Sequence, residues 1–285
     1  MRLTFSVAGA HDTDSCTIST IDADLVVGCD GIRSSVRRFF LQSGDTDTNG
    51  ITGKCTPLRY LGCIVILGIC PLDALDTTIR QSSPLLDGET VFQTADGTTR
   101  IYIMPFSKKN NEYMWQLSFP VSEEVAKEWS LKGSAALKKE ALNKCQSWHE
   151  PIPEILSSTP VELVSGYPVY DRDLLNAEDL ANARHSTSHC ITLLGDACHP
   201  MSPFKGQGAN QALLDALSLA RSIYRSQRQD NKTLDESLQE FEQEMMERSS
   251  RKVKASSDAA QFLHSEIAIS SGDVTRGAAA AVAAN

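Results

Sequence analysis

The stretch ITLLGDACHPMSPFKGQGANQALLDAL (residues 191–217) decides how the chain is read. An apolar run from 191 to 194 stops at Gly195-Asp196. A segment of small and polar residues follows. Then come Gly206-Gln207-Gly208 and a helical pattern. A carboxylate at the tip of a strand and a glycine bend aimed into a helix start pose one question: what do they hold?

A second segment has the same build. In ADLVVGCDGIRSSVRRFFL (23–41), Leu25, Val26 and Val27 are continuous rather than alternating, which suits a strand buried on both faces. The run ends in Asp30-Gly31. Ile32, Val36, Phe39 and Phe40 then fall on one side of a predicted helix. Residues 2–7 and 16–21 alternate around the turn-rich AGAHDTDS and read as a hairpin. Residues 44–54 read as a loop and a domain crossover.

Between these segments the texture changes. RIYIMPFS (100–107) and EYMWQLSFPV (112–121) alternate with period two. Tyr113, Trp115, Leu117 and Phe119 share one face, while Met114, Gln116 and Ser118 share the other. This is the pattern of an antiparallel sheet with two distinct faces, and the aromatic face reads as core. Residues 122–129 and 134–149 read as helices, each opened by a serine cap, the second stopped by Pro151 and Pro153. Residues 161–175 return to strand character, and a polar loop leads into the quoted stretch. Thr233 and Glu236 occupy capping-box positions, ahead of a stripe of Leu234, Leu238, Phe241 and Met245. The tail GAAAAVAAN is expected to fray.

The chain has 285 residues, 41% of them hydrophobic, enough for two modest domains. A net charge of −9 argues against nucleic acid or an anionic membrane as partner. The apolar run 60–72 is too short to span a bilayer, and residues 1–12 lack a signal-peptide core. None of the eight cysteines has C-x-x-C spacing. They read as reduced thiols in a cytoplasmic protein. Cys198-His199 lacks a second ligand pair, so no metal site is expected.

GQGANQ (206–211) comes near G-x-G-x-x-G, but Gln211 replaces the last glycine. A dinucleotide fingerprint also needs its first glycine directly after the strand, and a strand after the helix. Neither condition is met. A flavin suits the residues better. An ionised Asp196 accepts hydrogen bonds from vicinal hydroxyls such as a ribityl chain carries. Pro203 and Phe204 offer an apolar wall to a ring system. Gly206 and Gly208 let backbone amides approach a planar ring, and the helix start stabilises negative charge on it. A loop that merely turns a strand into a helix remains the bland alternative.

The two segments together resemble the downstream motifs of FAD-dependent aromatic-ring hydroxylases, the para-hydroxybenzoate-hydroxylase-like flavin monooxygenases. ADLVVGCDGIRSSVRR (23–38) is similar to that family's Asp-Gly motif and the stretch 191–217 to its Gly-Asp motif. YPVYDRD (167–173) resembles the return from the substrate domain. The resemblance implies α/β plus α+β architecture: an FAD-binding Rossmann-like domain (1–45 and 161–228), an inserted antiparallel-sheet substrate domain (46–160), and a C-terminal helix and tail (229–285). It implies that NAD(P)H reduces FAD, and that a flavin hydroperoxide oxygenates a small organic substrate, aromatic or polycyclic.

Carried over by position, Asp196 binds the ribityl hydroxyls from the Gly195-Asp196 cofactor turn, and Pro203 flanks the ring. Gly206, Gln207, Gly208, Ala209 and Asn210 face the pyrimidine edge. Asp30 and Gly31 lie near the pyrophosphate, with Arg33 and Arg37 holding the turn or approaching the reductant; surface charge is their bland reading. No catalytic side chain is implied, and His199 reads as a packing residue. Nothing before Ala23 matches the family's opening strand and G-x-G-x-x-G turn. The expectation is of an incomplete Rossmann-like domain in a truncated form that holds FAD weakly. Two alternatives stand beside it: a non-catalytic ligand- or partner-binding module, and a related flavoprotein oxidoreductase that does not oxygenate.

Overall fold

The structure is a computed structural model that describes residues 2–8, 16–42, 57–187, 190–228 and 232–270. The chain divides into two compact units. One comprises residues 1–58 and 171–256, the other residues 59–170 and 257–285.

The first unit holds the quoted stretch. Strands β1 (Arg2–Ala8) and β2 (Cys16–Asp22) form the expected antiparallel hairpin. Strand β3 (Val26–Gly28) pairs in parallel with β9 (Ile191–Leu193), placing Gly28 opposite Leu193. Close packing explains the glycine. A methyl group at Gly28 would lie 2.6 Å from Leu193 Cδ2 and 2.8 Å from Val36 Cγ1. Helix α1 (Ser35–Gln42) follows β3, with Phe40 and Leu41 buried. Phe39 is 51% exposed, a correction to the expected stripe. Val36 and Phe40, four apart, define the inner face, and Phe39 falls on its flank.

Helix α6 (Ala177–Thr187) occupies most of what the sequence suggested was a polar loop. Its Leu180 and Ala183 are buried, a spacing of three hidden among polar residues. Helix α7 (Gly208–Arg228) carries the end of the quoted stretch, and α8 (Leu234–Phe262) the predicted stripe. The capping box forms as expected. Glu236 N–H donates to Thr233 Oγ1 at 3.2 Å, and Thr233 N–H donates to Glu236 Oε2 at 2.8 Å. Leu238, Phe241 and Met245 are buried with Val26, Phe40, Ile191 and Leu193 in this unit's core.

The second unit is built on a five-stranded sheet of order β5-β6-β7-β4-β8. Its strands are β4 (Leu58–Pro71), β5 (Phe92–Ala95), β6 (Arg100–Ser107), β7 (Glu112–Pro120) and β8 (Val164–Arg172). One face is core: Ile64, Ile66 and Cys70 of β4 lie opposite Phe119, Leu117 and Tyr113 of β7, all buried. Trp115 covers Gly68, where a methyl group would lie 2.3 Å from its ring, and donates from Nε1 to Thr159 Oγ1 at 2.9 Å. The other face, with Leu67, Ile69, Met104, Met114 and Gln116, is half-buried.

Helices α3 (Glu123–Lys132), α4 (Ser134–Cys145) and α5 (Ile152–Ser158) belong to this unit, and Leu137, Ala141 and Ile155 join its core. A short helix, α2 (Thr77–Ser82), precedes them. Ser122 caps α3 as expected. Ser134 does not cap α4. Gly133, at φ +80°, ends α3 and begins α4 in one bend, and the Ser134 hydroxyl donates to Val164 O. Helix α4 ends at Cys145, and Pro151 opens α5 rather than stopping its predecessor. Proline suits a helix start because it lacks only an N–H that would go unused there. The expected loop at 44–54 and the frayed tail lie outside the described residues.

Candidate functional site

The Asp-Gly turn comes first. Asp30 follows β3, and its Oδ2 accepts from the amides of Ser35 (2.7 Å) and Val36 (3.2 Å), while Oδ1 accepts from the Ser34 hydroxyl. The carboxylate caps α1. Burial alone would raise its pKa, but these donors outweigh it and hold the carboxyl below the usual range. Gly31 takes φ +78°, which a Cβ would strain. Asp30 thus shapes the turn with oxygens already engaged. Arg33 is exposed on the same turn.

Arg37 settles differently from its surface reading. It is buried, and its Nη1 donates to the carbonyls of Ala197 (3.0 Å) and Cys198 (2.7 Å). The helix after the first motif therefore grips the backbone of the second. Sequence could not distinguish Arg37 from Arg38, its exposed neighbour, except through the spacing that puts Arg37 beside Ser34.

The Gly-Asp turn lies beyond β9 as one turn of 3-10 helix, Gly195–Ala197. Gly195 has φ +58°, and a methyl group there would lie 3.1 Å from Ala212 Cβ of α7. Asp196 is exposed and accepts no hydrogen bond among the described residues. Enough protein surrounds it that desolvation still raises its carboxyl pKa, with the charge of His199 opposing. A second 3-10 turn, Pro203–Lys205, precedes Gly206, which is exposed at φ +60° with open space where a Cβ would stand. Gln207 and Gly208 are half-buried, and Ala209 and Asn210 exposed. Because α7 begins at Gly208, its first-turn amides lack intrahelical acceptors. A methyl group at Gly208 would lie 3.8 Å from Asp196 Oδ1. The two halves of the quoted stretch thus meet: an open carboxylate beside an amide-rich bend. Pro203 is half-buried at the bend, but Phe204 is buried and offers no wall. Its large apolar ring packs inward where the proline does not.

Sequence reading missed the support behind the turn. Helix α7 directs Gly208, Gln211, Ala212 and Asp215 toward it, at helical spacings of three and four. Asp215 is fully buried, and its Oδ2 accepts from Gly195 N–H (2.9 Å) and His199 Nε2 (2.7 Å). Arg248 of α8 donates to Asp215 Oδ1 (2.9 Å) and Gln211 Oε1 (2.8 Å). Burial opposes ionisation of Asp215, but the His199, Gly195 and Arg248 donors prevail and lower its pKa. Leu219 of α7 is buried in this unit's core, but the apolar residues nearer the turn point outward. Leu213 and Leu217 are 70% and 48% exposed, so hydrophobic patterning pointed away from the functional face.

Comparison with known proteins decides the family. Residues 87–256, more than half of the chain, match the FAD binding domain family. The chain belongs to that family. Among FAD binding domain relatives, 6-hydroxynicotinate 3-monooxygenase of Bordetella bronchiseptica is 26% identical over 84% of this chain and 54% of its own length. Aurachin C monooxygenase/isomerase of Stigmatella aurantiaca is 27% identical over 70% of this chain and 42% of its own. The chain spans about half the length of the curated relatives it matches. The solved structure of Klebsiella pneumoniae HpxO with FAD and uric acid shares the fold. Its TM-score is 0.66 at 19% identity, over 90% of this chain and 57% of that one. The Arthrobacter nicotinovorans 2,6-dihydroxypyridine-3-hydroxylase is equally similar, TM-score 0.66 at 16% identity over 92% and 64%. Both share this chain's mixed α/β fold, with its parallel β3–β9 pair and its five-stranded sheet. Among the described residues, no helix is long and apolar enough to cross a membrane.

The residues fit the flavin end of FAD. Asp196 accepts no hydrogen bond among the described residues and can take hydroxyl donors, Gly206 leaves room where a side chain would stand, and Gly208 keeps the path to Asp196 open.

Proposed function

We propose that this chain supplies the flavin and ribityl half of the FAD site in an NAD(P)H- and O2-dependent monooxygenase. One observation carries the reading. The unpartnered Asp196 carboxylate stands beside the glycine bend at 206–208, where α7 presents its first amides.

Asp196 binds the ribityl hydroxyls, each donating to a carboxylate oxygen. Amides from Gly206 to Asn210, at the positive end of α7, face the pyrimidine edge and stabilise negative charge there. Pro203 lies against the ring. Asp30 and Gly31 build the adjoining turn, where a pyrophosphate would approach, and Arg33 stands exposed beside it. Bound FAD, reduced by NAD(P)H, supplies the electrons with which one oxygen atom of O2 enters the substrate and the other leaves as water. Relatives named as monooxygenases support this chemistry.

The substrate is a small aromatic or polycyclic molecule. Solved relatives hold uric acid and 2-aminobenzoylacetate, which supports that class. The half-buried second face of the sheet, where Leu67, Met104 and Met114 stand among Gln116 and Tyr102, suits a flat molecule with polar edges. The reading extends to a cytoplasmic location, which free thiols at Cys63, Cys70, Cys145 and Cys198 support.

Fluorescence titration of the full chain with FAD, FMN and riboflavin tests the assignment. All three carry the isoalloxazine ring and ribityl chain that Asp196 and the 206–210 bend would hold, so all three should bind. Asp196→Ala should weaken all three without lowering the melting temperature. An Asp196→Ala protein that keeps its flavin through gel filtration would defeat the reading.

A further inference from the structure

We propose that Asp215 is a positioning residue: its carboxylate fixes the Gly195 amide and thereby aims the Asp196 carboxylate, with Arg248 supplying the balancing charge. The inference rests on the flavin reading above, and it concerns residues that touch no ligand.

A carboxylate without exposed surface is costly to hold, even when paired. Asp215 is such a group. Among the backbone atoms it could serve, it takes the amide of Gly195, next to Asp196, at 2.9 Å. The same Oδ2 takes His199 Nε2, whose residue also donates its backbone N–H to Gly195 O at 2.9 Å. Gly195 is therefore held at its N–H by Asp215 and at its C=O by the amides of His199 and Cys198. Gly195 takes a left-handed φ, and a side chain there would crowd Ala212 of α7, so only glycine suits the turn. Arg248 completes the unit from α8, bridging Asp215 and Gln211 one turn apart on α7. Packing alone would be served as well by apolar residues of similar volume. The ionic arrangement adds direction, fixing the Leu194–Gly195 peptide that leads into Asp196.

Asp215→Asn in the full chain tests this. The single amide oxygen turns to the Arg248 cation, because charged donors form the stronger bond. Its NH2 then faces the Gly195 N–H, and two donors meet. In cofactor-free protein, Gly195 amide exchange should accelerate about tenfold or more while the β9 amides keep their protection. Riboflavin should bind about tenfold more weakly in Asp215→Asn. In an Asp196→Asn background the same change should cost less than about twofold, since Asp215 acts through Asp196. Unchanged Gly195 exchange, or equal losses in both backgrounds, overturns the proposal. Should Asp215→Asn fail to fold, the Asp215→Leu/Arg248→Met pair replaces buried charge with apolar volume and carries the same expectations. A wild-type chain that ignores every flavin defeats the assignment of the site instead, and the exchange measurement still judges Asp215.

Discussion

Gly208→Ala separates what the fold needs from what the ligand needs. The added methyl group would lie 3.7 Å from Met201 Cγ and 3.8 Å from Asp196 Oδ1, ordinary contact distances. Nothing in the protein resists it. Gly208 opens α7, where alanine is the better helix former, so stability should hold or rise by up to about 0.5 kcal/mol. The same methyl group occupies the approach to Asp196. Losing one hydrogen bond to that carboxylate costs about 1.5–3 kcal/mol of binding, a roughly 10- to 150-fold weaker complex. Thermal melting of the cofactor-free variant and riboflavin fluorescence titration measure the two effects. A variant that binds riboflavin as wild type does would refute the placement of the ribityl chain at Asp196. Gly195→Ala is the control, since its methyl group would crowd Ala212 at 3.1 Å and force a strained φ. It should lower stability and binding together.

Asp196→Asn carries a pH prediction. Burial holds the Asp196 carboxyl above its ordinary 3.8, so its stabilising effect is present at low pH and lost as pH rises through the folded pKa. The Asn variant should therefore melt higher than wild type near neutral pH when cofactor-free, and no higher in acid. Arg37→Met strips the donors from two buried carbonyls, Ala197 O and Cys198 O. Urea unfolding should show a loss of about 1–3 kcal/mol per carbonyl left bare. Gly68→Ala drives a methyl group into the Trp115 ring at 2.3 Å. Overpacking should cost about 1–3 kcal/mol or more, read by tryptophan fluorescence during unfolding. Thr233→Ala removes one side of the α8 capping box, at about 1 kcal/mol by denaturation midpoint.

The parts legible in the sequence were those where one local rule sufficed. Period-two alternation located β6 and β7 and sorted Trp115 to the core. Thr233 and Glu236 announced α8. Gly195-Asp196 and Gly206-x-Gly208 marked the turn and bend that the structure brings together. Other features depended on partners far along the chain. Asp30 was expected near the pyrophosphate, and that its oxygens cap α1 could be seen only once the helix start was placed. For Arg37 the sequence left turn-holding, the reductant and surface charge open, and only its carbonyl partners 160 residues away show it to be internal. Helix α7 misled most, because Leu213, Leu214 and Leu217 lie exposed while Gln211 and Asp215 are buried, with Gly208 and Ala212 half-buried beside them. No hydrophobicity pattern reports a polar face turned inward to hold a backbone amide. Helix α6 escaped for a related reason: two buried apolar residues are too few to declare a stripe.

The most direct test maps where the flavin lands. Amide resonances of the full chain, followed during riboflavin titration, should shift at Gly195, Asp196 and Gly206 through Asn210, and those shifts should vanish in Asp196→Asn. Shifts confined to the five-stranded sheet, or to no described segment of the first unit, would contradict the account.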